Sequence, residues 1–573
     1  MLMPHLSERT SSPTSKATAA QHEIVPVDGV PHACIRDAQE IPPFLMNIVS
    51  DGDVWVFVGS NAALTAGRRD PDGGVFPYRP ADQLLHEPRG SGICSWIRCD
   101  EQVWEPWAAG PPAEVISRSL FKHELGCRVI FEEIHAALGL RCRWRIGGSS
   151  TFGLVRHARL ENLTDRPRQI DLLDGWHRLL PPGVGEQLYS RLSYLTAAYM
   201  RHELVEPEGL LISVLNSAIS DRPEPAESLR ATVAWSTGLG GSQRIVTDGQ
   251  AVLFQAGEPI TPQERARGCF GGYLVGEQFR LEPGESRDWY MVVDTGLDQP
   301  AILELRHRLA TSGSLAEELD AAFESEAEGL RRRVGSSDGL QMTADAVTTA
   351  HHASNTLFNI MRGGLPVDGS RCPPGDLAAF LDARNRPLLD RHREWARAAD
   401  GRDREAVLAE AVDRGDPHLA RLIAEYMPLG FGRRHGDPSR PWNRFSIQTS
   451  DAAGAPLCGY AGNWRDIFQN WEALAHSHPT LLPAMVTAFL NATTADGYNA
   501  YRITREGIDW EVPDPTDPWA HIGYWGDHQI VYLLRLLEAH ERFWPGQLAA
   551  GLAERRFAHA VVPYRIRGFD EIC

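Results

Sequence analysis

Apolar and polar positions change rhythm about halfway along the chain. From about residue 23 to 310, short apolar or alternating runs are separated by Gly, Pro and Asp clusters, the pattern of strands joined by turns. Val54–Gly59 (VWVFVG), Cys127–Glu132 (CRVIFE), Leu210–Leu215 (LLISVL) and Trp289–Val293 (WYMVV) are examples. Strands at this spacing without alternating helices predict an antiparallel β-sandwich over 23–312, larger than an ordinary two-sheet module. Residues 313–340 then read as a helical linker. In SLAEELDAAFESEAEGLRRR (314–333) acidic residues lead and arginines close, the order that suits the helix macrodipole, and Ser314 stands at the capping position.

From 341 to 573 the spacing becomes helical. Helices are predicted over 342–362, which ends at Arg362-Gly363-Gly364, and near 375–398, 403–414, 417–427, 463–477, 479–492, 526–543 and 547–559. Two long stretches between them, 428–462 and 495–525, carry Gly, Pro, Trp and Arg instead of periodic apolar residues. Long irregular loops of this kind are often functional.

The chain has 573 residues, 43% hydrophobic and 23% charged, a globular mix with length for more than one domain. Its net charge of −18 argues against nucleic acid as a partner. Basic charge is almost all arginine, with Lys16 and Lys122 the lysines. Nine scattered cysteines without a CxxC fit reduced thiols in a cytoplasmic protein. Residues 1–22 lack the apolar core of a secretory signal and read as a disordered tail, and no apolar run is long enough for a membrane span. No HExxH, GxGxxG, P-loop or GxSxG motif occurs, so no metal or nucleotide cofactor is signalled.

Four segments carry candidate chemistry. In Asn463–Glu472 (NWRDIFQNWE), a helix would align Trp464, Ile467, Phe468 and Trp471 on one stripe and Arg465, Gln469 and Glu472 on another, with Asp466 in the first turn. Arg, Asp and Gln together satisfy sugar hydroxyls, which donate and accept, and Trp464 can stack on a pyranose face. The competing reading is an amphipathic surface helix with an ordinary ion pair. The second segment runs from DGYNAYR (496–502) to GIDWEVPD (507–514). It offers Tyr501 and Trp510 as sugar contacts, and Asp509 and Glu511 as a general acid desolvated by Ile508 and Trp510, or as solvated loop acids. In the third, WGDHQ (525–529), Asp527 and His528 stand at the positive end of a helix, either as pocket residues or as plain caps. In the fourth, GFGRRHGDPSRPWNR (430–444), Arg433, Arg434, His435 and Arg440 suit a phosphate or a loop pinned by ion pairs.

On these residues the chain resembles glycoside hydrolase family 94, the cellobiose and related β-glucoside phosphorylases. Asn463–Gln469 (NWRDIFQ) is similar to the family's Trp-Arg-Asp-x-x-Gln segment, and DGYNAY (496–501) and WGDHQ follow in the family's order. Asp53–Gly67 and Phe76-Pro77-Tyr78 resemble the opening of its sandwich. The resemblance implies an (α/α)6-barrel-type catalytic domain after the sandwich. It implies inverting phosphorolysis of a β-linked glucoside or oligosaccharide to a sugar 1-phosphate, with inorganic phosphate as co-substrate and no other cofactor. By motif, Arg465 and Asp466 would hold the reacting sugar, and Asp527 and His528 would be pocket residues. A homodimer is the family analogy.

One departure stands out: the Asp-Trp-Asn-Asp-like motif that carries the family's acid is not found downstream of WGDHQ. About eight helical segments also fall short of the twelve a closed barrel needs. The chain is therefore expected to be an N-terminal portion of a longer protein, its barrel incomplete. An inverting hydrolase on the same scaffold, or a glycan-binding protein without catalysis, are the alternatives.

Overall fold

The computed structural model describes residues 23–108, 115–219, 228–240, 243–432, 436–441, 443–451, 454–510, 516, 524–525, 529–551, 557–562 and 570. The tail expected over 1–22 lies outside them. Residues 23–297 build the strand layers. Eleven strands form one antiparallel sheet: Glu23–Val27, Val30–Arg36, Ile116–His123, Arg128–His135, Leu140–Ser149, Gly153–Asn162, Ser286–Leu297, Ala231–Thr237, Leu210–Leu215, Met200–Val205 and Arg265–Arg267, in that spatial order. Facing it are a five-stranded sheet centred on Arg168–Leu179 and a three-stranded sheet, Leu45–Val49, Val54–Gly59 and Leu64–Arg68. Inward residues of all three, among them Phe131, Trp144, Leu172, Trp176 and Val56, share one core. The enlarged antiparallel sandwich expected from the strand rhythm is present.

The outer face of the large sheet is covered by helices. Leu315–Gly335 lays Leu319 and Phe323 against Val155, Trp235 and Val292. Its buried Glu326 accepts hydrogen bonds from the Asp51 N–H (2.6 Å), the Ser150 N–H (2.6 Å) and the Ser150 hydroxyl (2.6 Å), which locks the linker to two sandwich turns. Two details differ from the sequence reading. The sandwich strands end at Leu297, and Gln299–Thr311, read as part of the sheet region, is a helix with Asp298 capping the Ala301 N–H and a proline in the first turn. Ser314 occupies the N-cap of the linker helix, but its side chain makes no capping bond.

Nine helices follow among the described residues: Ala346–Gly363, Asp376–Arg384, Arg386–Ala398, Arg404–Asp413, Pro417–Glu425, Trp464–Ala475, Leu482–Asn491, Gln529–Phe543 and Gln547–Gly551. The segment read as one helix over 375–398 is two. Asn385 leaves helical geometry and caps the Leu388 N–H, and Pro387 opens the second helix. No helix among the described residues is long and apolar enough to cross a membrane. A large β-layered region followed by a helical region is thus established; a closed twelve-helix ring is not among the described residues.

The stretch after residue 428 ties the two regions together. Leu429–Gly430 pairs with Leu365–Pro366. Gly432 passes so close to Gly364 that a Cβ there would meet the Gly364 Cα at 2.6 Å, and Gly364 itself has φ +89°. Beyond this crossing the chain lies on the sandwich. The Ala81 N–H donates to the Pro438 carbonyl (2.8 Å), the Ile447 N–H to the Arg69 carbonyl (2.6 Å), and Arg444 pairs with Asp72.

Candidate functional site

The helix Trp464–Ala475 starts from a small antiparallel sheet. Ala461–Asn463 pairs with Arg502–Thr504, which pairs with Ile508–Asp509, so Asn463, Arg502 and Asp509 stand side by side. The Trp464 N–H donates to the Tyr501 carbonyl (2.9 Å), and the Tyr501 N–H to the Asp509 carbonyl (3.0 Å). The fold therefore gathers Arg465, Asp466, Tyr501, Asp509 and Trp510, drawn from two separate motifs, at one end of this sheet.

Their environments differ. Trp464 is fully buried, packed against Phe468 and Phe489 at 4.8 and 5.1 Å, so its ring belongs to the core and is closed to a sugar. The stripe Trp464, Ile467, Phe468 and Trp471 is all core. Arg465 and Asp466 remain accessible, with 46% and 20% of their side chains exposed and 3.8 Å between them. Asp466 sits in the first helical turn, where the macrodipole favours a carboxylate. Gln469 is exposed one turn on. Strand alternation settles Asp509: Ile508 and Trp510 pack on the helical core, and Asp509 between them turns outward, 57% exposed, 3.9 Å from Arg502. The desolvated carboxyl expected from the flanking apolar residues is therefore not formed at Asp509. Trp510 lies parallel to Tyr498, ring centres 6.1 Å apart. Glu511, Asp527, His528, Arg433, Arg434 and His435 lie outside the described residues.

Asp466 also acts on a residue of a cleft that the sequence did not announce. A cavity of about 340 Å³ lies where the C-terminal end of Ala346–Gly363 meets the sandwich, walled by Asn47, Trp55, Phe57, Arg362, Asp437 and Phe445. Trp55, Phe57 and Phe445 form one aromatic cluster with ring centres 5.6 to 6.0 Å apart. The Arg362 guanidinium sits 4.5 Å over the Phe358 ring. Burial lowers its pKa and Arg440 adds to that, while the carboxylates of Asp466 and Asp437 oppose it. Asp437 is fixed in place by accepting the Ser439 N–H at 2.8 Å. Arg362 and Asp437 thus stand in the cleft wall, and the charges of Asp466 and Arg440 reach Arg362 from outside it.

Arg440, read from the sequence as a phosphate candidate, does not line the cleft and bears on it only through its charge on Arg362; Arg362, Asp437 and the sandwich aromatics are additions of the structure. In the sequence Arg362 stands out only as part of a helix stop. The one available signal is VWVFVG (54–59), every residue of which is buried, where a strand with one solvated face would alternate.

No known family pattern matches the chain, and no curated protein matches it. Among solved structures it is similar to a bacterial glucoamylase complexed with acarbose, at 10% identity and TM-score 0.39 over 93% of this chain and 68% of that one. It is also similar to a family GH92 alpha-mannosidase from Bacteroides thetaiotaomicron, at 9% identity and TM-score 0.27 over 91% and 72%. A GalM/aldose epimerase homologue from C. elegans matches at 10% identity and TM-score 0.25 over 45% of this chain and 100% of that one. With TM-scores this low, these likenesses carry no argument about chemistry.

Proposed function

We propose that the cleft between sandwich and helices binds a glycoside and that the chain cleaves it by inverting phosphorolysis. The observation that supports this most is the cleft wall itself, where half-buried Arg362 and the carboxylate Asp437 stand beside Trp55, Phe57 and Phe445 and the charges of Asp466 and Arg440 act on Arg362. Carboxylates and guanidinium groups together match hydroxyls that both donate and accept. In this reading Arg465 and Asp466 hold the reacting sugar, and Arg362 with Arg440 holds phosphate. A carboxylic acid protonates the glycosidic oxygen while phosphate attacks the anomeric carbon from the opposite face, so one essential carboxyl suffices. Asp509, offered by the sequence as the acid, stands exposed and outside the cleft wall, so its replacement tests whether the acid lies there at all.

Two carboxylates around one arginine also favour a second reading, hydrolysis, in which one acts as acid and the other as base toward water. A glycan panel assayed in phosphate and in phosphate-free buffer separates the two. Sugar 1-phosphate released only with phosphate is the expected result, with Asp466→Asn lowering kcat/KM by roughly 10²-fold at an unchanged melting temperature. Free sugar released without phosphate assigns hydrolysis. No product from any glycan overturns both.

A further inference from the structure

A second cavity, of about 650 Å³, lies on the far side of Met46 and Phe358, between the edge of the large sheet and the helix Ala346–Gly363. This is the size of a small-molecule site. Its walls are mostly apolar: Ile35, Met46, Leu120, Val129, Leu357 and Phe358. Phe358 is 46% exposed.

One cation stands among these walls. Lys122 occupies the strand Ile116–His123 with Ala33 and Val129 as its cross-strand neighbours, neither of which offers a polar side chain. Among the described residues its ammonium has no hydrogen bond and no ion pair. The acids that share the cavity are engaged elsewhere: Glu23 with Arg36 at 3.4 Å, and Glu124 with Arg331 at 3.4 Å. Burial lowers the pKa of the ammonium, and the Cys127 thiol, itself pushed up to about 11 by burial, is the group that opposes this. His123, also in the wall, is lowered to about 3, mainly by burial, so it adds no second positive charge at neutral pH.

In a chain whose basic charge is almost all arginine, a lysine here is a compact single charge on a flexible stem, without the fork that a phosphate favours. Lys122 is half-buried; an unpaired charge drawn partly out of water is costly, and the complement of one cation in an apolar chamber is one anion on an apolar body. We propose that this cavity binds a monocarboxylate with an apolar body, its head on Lys122 and its tail against the helix Ala346–Gly363. The site shares Met46, Asn47, Phe358 and Met361 as a common wall with the proposed glycoside cleft but does not depend on its chemistry.

Calorimetric titration with dodecanoate and with dodecanol tests this on the wild type, Lys122→Met and Ala350→Phe, each checked for folding by its melting curve. Wild type is expected to bind dodecanoate. Lys122→Met should weaken dodecanoate by about tenfold or more and leave dodecanol unchanged. Ala350→Phe, which fills the cavity from the helix side, should block both. Lys122→Gln is read the same way if Lys122→Met does not fold. Failure of wild type to bind dodecanoate, or equal dodecanoate affinity with and without the lysine, overturns the proposal.

Discussion

The centre of the sandwich and the small sheet at the start of the helix Trp464–Ala475 use the same side chains to opposite ends. In the sandwich, Arg156 from the large sheet and Asp174 from the facing sheet meet at 2.6 Å, both fully buried. Trp289 donates its indole N–H to the same carboxylate at 2.6 Å, and Arg156 lies 4.8 Å from the Trp176 ring. At the small sheet that opens the helix Trp464–Ala475, Arg465 and Asp466 are 3.8 Å apart and Arg502 and Asp509 3.9 Å, with all four side chains in reach of water. Close, desolvated contact makes the first pair part of the framework, whereas the second pairs are longer and face solvent. The helical region has framework pairs too: buried Glu425 holds Arg384 at 2.7 Å, and the Tyr426 hydroxyl donates to Asp376 at 2.7 Å. The contrast therefore lies between pinned and loose groups within one chain, more than between strands and helices.

The largest effect that tests this contrast is on Asp174. Asp174→Ala leaves the Arg156 charge buried and unpaired and orphans the Trp289 N–H, which should cost about 3–5 kcal/mol. Urea denaturation followed by tryptophan fluorescence should show the midpoint falling sharply. A midpoint at the wild-type value would mean that the sandwich pair is no more pinned than the exposed pairs at the small sheet.

How far the sequence reveals these roles depends on the range of the interactions. Val54–Gly59 is readable because an apolar run bounded by turn residues is a local signal. The stripe from Trp464 to Trp471 is readable as a helix face, yet an aromatic ring in the core and one on a sugar look alike until burial is known. Gln299–Thr311 escapes because it has no buried residue, so its apolar periodicity is faint although Asp298 and Pro300 mark its start. The cleft is not readable: Arg362, Asp437 and Trp55 come from a helix, a loop and a strand, and meet only because the chain after Leu429 crosses onto the sandwich.

A middle-sized effect separates the regions by pH. His32 and His123 pack edge to face at 5.4 Å on the sandwich side, and burial lowers the pKa of both, that of His123 to about 3. Below the usual histidine pKa the unfolded chain takes up protons that the folded chain refuses, so stability is whole above about pH 6.5 and is lost as pH falls toward 3. Each histidine contributes a slope of at most about 1.4 kcal/mol per pH unit. His123→Gln should flatten the dependence of the urea midpoint on pH across this window; an unchanged slope would place the acid sensitivity elsewhere.

The smallest stability effect sharpens the comparison most. Asp509 is exposed and its contact with Arg502 is long, so Asp509→Asn should move stability by no more than about 0.5 kcal/mol. If Asp509 is the proton donor, the same change should cut sugar 1-phosphate release by roughly 10²-fold or more, because an amide cannot deliver the proton. A melting temperature held constant while turnover collapses is what a loosely held catalytic carboxyl requires and what Asp174 cannot show. Lower melting with turnover retained would put Asp509 among the pinned groups, and the acid would then have to be sought at Asp437, which shares Arg362 with Asp466.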